Sequence, residues 1–196
     1  MVSKFKILIF GDGGVGKTTF VNRYLTGVYT TGSITIGVDF HIKLLEIDGD
    51  EITLRIWDFA GEQKFRILFP SYVSGASGAL VLYDITNKES LYDLESWINI
   101  IDNVESPPRT RILIEHKIDL EDQRVVTRKE ANKFHKKYNF QGEIIGASAK
   151  TGENVEDVFQ ILGREILKNS LRKCPNCGNH YPLELKFCQY CGTKTY

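Results

Sequence analysis

The sequence predicts an α/β fold, a mostly parallel sheet with helices on both faces, carrying one small appendage at its C-terminal end. Three observations predict it. Short apolar runs of strand length alternate with stripes at helical spacing through about residue 171. A glycine-rich stretch at 11–19 follows directly on the first of those runs. All four cysteines lie between Cys174 and Cys191, so disulfides do not staple the main domain.

The elements follow in order. Apolar runs at 4–10, 38–47, 52–58, 79–84, 112–115 and 143–147 read as strands. The second and third flank Asp48-Gly49-Asp50, a tight-turn signal, so they should form an antiparallel hairpin at the sheet edge while the others run parallel. Leu91, Leu94, Trp97, Ile98 and Ile101 share a helix face, as do Val155, Val158, Phe159, Leu162 and Ile166; Ala131, Phe134 and Tyr138 mark a shorter helix. These stripes are core packing. Residues 1–171 then make the main domain and 172–196 a tail too short to build a hydrophobic core of its own.

Length and charge exclude other classes. With 196 residues there is room for one full domain and an appendage. Twenty-five basic residues balance 25 acidic ones, which leaves no long-range field to recruit nucleic acid or an anionic membrane. No apolar run approaches the roughly 20 residues a bilayer needs, and the first is too short for a signal-peptide core. A cytoplasmic protein that binds no nucleic acid is expected.

The stretch GDGGVGKTT at 11–19 matches G-x-x-x-x-G-K-[ST] in the strand, loop, helix context that the P-loop requires. Its glycines let successive backbone N–H groups from Asp12, Gly13, Gly14, Val15 and Gly16 curl inward at phosphate oxygens, reinforced by the positive end of a helix beginning near Lys17. Lys17 can reach the β and γ phosphates, and the Thr18 hydroxyl, followed by Thr19, can hold Mg²⁺. The alternative is a glycine turn without a ligand. The base would be chosen after the fifth strand, in IEHKID at 114–119, where the Asp119 carboxylate can accept both the ring N1–H and the exocyclic amine of guanine.

With TIGVDF at 35–40, WDFAGE at 57–62, HKID at 116–119 and SAK at 148–150, the P-loop completes five motifs in the order and spacing found in Ras-superfamily small GTPases. The chain resembles that family over about residues 4–169, and its Rab branch most. The resemblance implies a six-stranded sheet with one antiparallel strand, binding GTP and GDP with Mg²⁺, and effector, exchange and activating proteins as partners. It implies that Thr35 joins Mg²⁺ through its hydroxyl and meets the γ-phosphate through its N–H, that Asp58 holds Mg²⁺ through water, and that the Gly61 N–H reads the γ-phosphate. Ser148, Ala149 and Lys150 would close over guanine, the Ala149 N–H facing its carbonyl oxygen, with Lys117 beside them and Tyr29 against the base edge. Loss of the γ-phosphate would release the Thr35 and Gly61 segments, which makes a switch.

Two residues depart from the family pattern. Glu62 stands where the family has glutamine, followed by Gln63. A carboxylate can accept a hydrogen bond from the attacking water but, ionised, cannot donate, and it sits near a polyanion. Either Glu62 supports slow hydrolysis with Lys17 and Thr35, or repulsion swings it away and leaves Gln63 or a GTP-dependent binding module with little hydrolysis. His116 replaces the family's asparagine; a neutral imidazole also has one donor and one acceptor, in different geometry, so binding should survive. Gly13 fits the pattern and leaves space for an arginine from an activating partner. An ATP-using enzyme, resting on the P-loop alone, is the third reading.

In the tail, Cys174-x-x-Cys177 and Cys188-x-x-Cys191 are ten residues apart, and each pair continues into glycine, Gly178 and Gly192. Four thiolates suit a closed, tetrahedral structural Zn²⁺, as in a zinc ribbon, with two disulfides or an iron site as competitors. Cysteines committed to metal leave no prenylation signal at the terminus, so no lipid anchor is expected and membrane contact would need a recruiting protein. Partner docking is the expected use of the ribbon.

Overall fold

The computed structural model describes residues 3–30, 35–62 and 69–194. Strand β1 spans Ser3–Phe10, β2 Val38–Ile47, β3 Asp50–Phe59, β4 Gly78–Asp84, β5 Thr110–His116 and β6 Ile145–Ala147. They form one sheet in the order β2-β3-β1-β4-β5-β6, antiparallel between β2 and β3 and parallel elsewhere. The expected hairpin turns at Asp48, whose φ is 51°, and Gly49, whose φ is 88°.

Strand alternation divides the core between the two faces. Ile7 and Ile9 of β1, Leu80 and Leu82 of β4 and Ile112 and Ile114 of β5 pack beneath α1 (Lys17–Thr26) and α6 (Val155–Ser170). Leu8, Phe10, Ala79, Val81, Tyr83 and Leu113 face α2 (Phe69–Val73), α3 (Lys88–Tyr92), α4 (Leu94–Asp102) and α5 (Arg128–Lys137). There Phe69 meets Phe59 at 4.5 Å and Trp97 at 5.0 Å between ring centroids, both edge to face. Among the described residues no helix is long and apolar enough to cross a membrane.

The structure departs from simple periodicity in two places. The stripe from Leu91 to Ile101 is broken at Asp93 into α3 and α4. The Ser96 hydroxyl donates to the Asp93 carbonyl at 2.7 Å, a local side-chain bond of the kind that competes with the helical ladder. β6 is shorter than expected, because the Gln141 side chain accepts the Arg111 N–H and pairing with β5 starts only at Ile114 and Ile145. β5 runs one residue further, and its register sets Asp84, His116 and Ala147 in a row at the C-terminal edge of the sheet. Ligands of open α/β sheets bind at that edge.

The tail leaves α6 without a break. β7 (Leu171–Lys173) pairs antiparallel with β8 (His180–Pro182), and Leu171 also packs against the main core. Tyr181 is buried with Cys174 and Cys188 in a separate small nucleus.

Candidate nucleotide site and cysteine cluster

β1 delivers the chain into the glycine loop, and α1 begins at Lys17 behind Gly16, whose φ of 92° lies in the left-handed region. A Cβ at Gly16 would come within 2.9 Å of the His116 ring, so this position admits only glycine without displacing the imidazole. Lys17 folds over the loop, its Nζ donating to the carbonyls of Gly11 at 2.9 Å and Asp12 at 2.8 Å. Asp12 Oδ1 accepts the Gly13 N–H at 2.7 Å, bracing the outer turn. Gly61 lies against this turn so closely that a Cβ there would meet the Asp12 carbonyl oxygen at 2.4 Å.

Two cavities adjoin along the loop and share Gly14, Gly16 and Thr19. The first, of about 310 Å³, also takes in Gly13, Lys17, Thr18, Thr35, Gly61 and Glu62. The second, of about 400 Å³, is walled by Tyr29, His116, Lys117, Asp119, Ala149 and Lys150. One end is therefore lined by backbone and a cation, the other by the residues expected around a base. Gln63 lies outside the described residues.

At the first cavity the Thr18 hydroxyl donates to Asp58 Oδ2 at 2.5 Å and also meets the Thr35 hydroxyl. The other Asp58 oxygen is buried without a hydrogen-bond partner among the described residues. Burial pushes the Asp58 carboxyl up to about 6, against the Thr18 hydrogen bond and the Lys17 charge. A buried carboxylate with an orphaned oxygen beside two hydroxyls is the oxygen donor set a hard cation prefers.

At the second cavity His116 is 3% exposed. Its Nδ1 lies 2.6 Å from the Val15 carbonyl, and its Nε2 accepts the Ala149 N–H at 3.1 Å. The imidazole thus joins the P-loop to the 148–150 loop, as an asparagine would, and the Ala149 N–H expected at the base carbonyl is donated to the ring. Lys117 Nζ binds the Gly14 carbonyl at 3.0 Å and Asp84 at 2.6 Å. Burial pushes the Asp84 carboxyl up, but hydrogen bonds from Lys117 and Thr86 outweigh it and hold the group below its ordinary range. Asp119 accepts from the Ser148 hydroxyl at 2.6 Å, with Lys150 Nζ 3.9 Å away.

Sequence reasoning missed Asp84 as the tether of Lys117, although a carboxylate closing the fully buried strand β4 was a signal for it. It also missed Phe20, which meets the His116 ring edge to face at 5.5 Å.

The tail repeats one turn twice. Gly178 and Gly192, with φ of 73° and 72°, return their N–H groups to the carbonyls of Cys174 and Cys188, each at 2.9 Å. The four sulfur atoms lie within 4.8 Å of one another. Cys174 and Cys191 are 3.6 Å apart, as are Cys177 and Cys188, far beyond a disulfide bond of about 2.05 Å. The Asn179 amide approaches Cys177 Sγ at 3.4 Å and the Thr193 hydroxyl Cys191 Sγ at 3.2 Å. Outside this cluster the tail touches the main domain through the Leu183 N–H, which donates to the Ser170 carbonyl at 3.1 Å, and through His180, whose Nδ1 is 3.2 Å from Asp50.

Comparison with known proteins agrees with this geometry. The family model described as the Ras family matches residues 6–168 and so ends before the first cysteine. The chain is 39% identical to the Ras-related protein Rab-8B of Bos taurus over 170 residues, 86% of this chain and 81% of that protein. The Rab-8B proteins of Homo sapiens and Pongo abelii are 38% identical over the same shares. A phosphate loop, a base loop and a Rab-like sequence over most of its length place the chain in the Ras family of small GTPases.

Proposed function

We propose that this protein is a guanine-nucleotide switch that binds Mg²⁺ with GTP or GDP, hydrolyses GTP slowly, and carries a structural zinc ribbon for partner docking. The observation that carries the reading is the continuity of the two cavities, with Lys17, Thr18 and Asp58 at one end and Asp119 at the other.

Thr18, Thr35 and Asp58 are the residues that would hold Mg²⁺, which when bound supplies charge neutralisation on the phosphates. Lys17 would exchange the Gly11 and Asp12 carbonyls for phosphate oxygens, a move that needs only rotation of its flexible stem. The N–H groups of 13–19 would line the phosphate chain, the Gly61 N–H the terminal phosphate. Phosphoryl transfer asks mainly for positioning and charge, and Glu62 at the rim of this cavity would accept a hydrogen bond from the attacking water. Thr35 and Gly61, held only while the terminal phosphate is present, would relax after its loss and alter the surface offered to effector, exchange and activating proteins.

For the tail, the two sulfur separations of 3.6 Å, with all four sulfurs within 4.8 Å, are compatible with the edge of about 3.8 Å that four Zn–S bonds of about 2.3 Å require of a tetrahedron. All four corners are cysteine, which leaves no open position for chemistry.

The second reading, a GTP-dependent binding module with little hydrolysis, is favoured by one observation, the carboxylate at Glu62. Single-turnover GTP cleavage separates the two. Slow phosphate release that falls at least fivefold in Glu62→Ala or Gln63→Ala supports the switch that hydrolyses; no release from wild type over many hours, with GTP still bound, supports the binding module. Competition by GDP and not by ADP dismisses an ATP-using enzyme.

A further inference from the structure

The hydrogen bonds of His116 bear on how the base is selected. The Val15 carbonyl can only accept, so the nitrogen 2.6 Å from it, Nδ1, carries the ring proton. The Ala149 N–H can only donate, so Nε2, 3.1 Å away, is the unprotonated nitrogen. The imidazole is thereby neutral, in one tautomer, with both nitrogens engaged. Burial lowers its pKa, which favours the same neutral form.

The ring is packed on two sides. Phe20 meets it edge to face at 5.5 Å, and a Cβ at Gly16 would already lie within 2.9 Å of it. If Ala149 swung its N–H to a ligand, an acceptor that is 3% exposed would lose its donor. On the other side of the cavity, Asp119 has one oxygen anchored by Ser148 at 2.6 Å and keeps acceptor capacity for further donors.

We infer that His116 withdraws two donors from the base, its own and that of Ala149, so that the site selects guanine by the N1–H and 2-amino edge through Asp119 and is indifferent to the 6-carbonyl and N7. This rests on the guanine-nucleotide reading above and sharpens it: His116 is the residue that sets which edge is read.

Nucleotide analogues test it on the wild-type full chain, loaded with Zn²⁺ and Mg²⁺, by displacement of a fluorescent GDP. Three probes are used beside GDP. 7-Deaza-GDP lacks N7, 6-thio-GDP replaces the carbonyl oxygen by a poor acceptor, and IDP lacks the 2-amino group. The expected result is Kd values for 7-deaza-GDP and 6-thio-GDP within about twofold of GDP, and a Kd for IDP at least about tenfold weaker, since a charge-assisted bond to Asp119 is lost. A loss of about tenfold with either of the first two, or IDP equal to GDP, overturns the inference while leaving the nucleotide reading intact. Failure of GDP itself to bind overturns both. ¹⁵N spectra of the imidazole give an independent check: the Nδ1–H tautomer should persist when GDP is added, and its loss on binding counts against the inference.

Discussion

His180 Nδ1 lies 3.2 Å from Asp50 Oδ1, and this contact ties the cysteine tail to the start of β3. The two residues are 130 positions apart in sequence. Asp50 is at the far end of the sheet from the nucleotide cavities, which open at the C-terminal ends of β1, β4 and β5. Tail and nucleotide site are thus joined through the body of the sheet and not by direct contact.

Removal of the metal should therefore unfold the tail and spare the nucleotide site. Chelation of a sample that contains about one Zn²⁺ per chain should open residues 174–194 to proteolysis and remove the near-ultraviolet signal of Tyr181, because metal binding is the main folding free energy of so small a unit. GDP affinity should change by less than about threefold. A loss of GDP binding that parallels metal loss would contradict the separation. His180→Ala should have a smaller effect still, as a partly exposed pair of this kind contributes little.

Gly16→Ala should weaken nucleotide binding by more than about tenfold in Kd. The residue has φ of 92°, and its new methyl group would press on His116 at 2.9 Å, so both the loop and the base wall shift. Backbone strain of this kind costs on the order of 1–3 kcal/mol, which thermal unfolding would also register.

Asp58→Asn should keep the fold and weaken Mg²⁺-dependent GTP binding by at least about tenfold. The amide preserves shape and the bond to Thr18, and it removes a carboxylate that burial already disfavours. In the absence of metal and nucleotide, the variant should be as stable as wild type or more so at neutral pH, by chemical denaturation. A large loss of metal-free stability would show that the carboxylate has a structural task of its own.

Stability should fall on the acid side of neutrality because of His116. Its folded pKa lies below the ordinary value of 6.5, so below that pH the unfolded chain takes up a proton that the folded protein refuses. The contribution is present above the unfolded pKa and is lost as pH falls through the folded one. Denaturation of wild type and His116→Asn from pH 7.5 to 5 should show a steeper decline in wild type. The same variant should retain or tighten GDP affinity, since an asparagine can take over the link between loops and offer a donor to the base.

Much of the fold was legible in one dimension. Strand and helix periodicities placed the sheet, the Asp48-Gly49-Asp50 turn and α6 because side-chain alternation is a local property of the chain. Breaks were harder to read. Division of the Leu91 to Ile101 stripe falls at Asp93, whose carbonyl also accepts from the Ser96 hydroxyl, and shortening of β6 goes with a side chain, Gln141, 30 residues from its partner.

The P-loop, the base loop, the two cysteine pairs and the likeness to the Ras family could be read along the chain, since each is a pattern of residue types at short, set spacings. What His116 does and where the tail rests emerged only once the chain was folded. The partners of His116 stand 101 and 33 residues away, and which nitrogen donates follows from the carbonyl and the N–H that the folded chain brings to it. Residue type supplies a hydrogen-bonding capacity; the surrounding backbone groups choose how it is used.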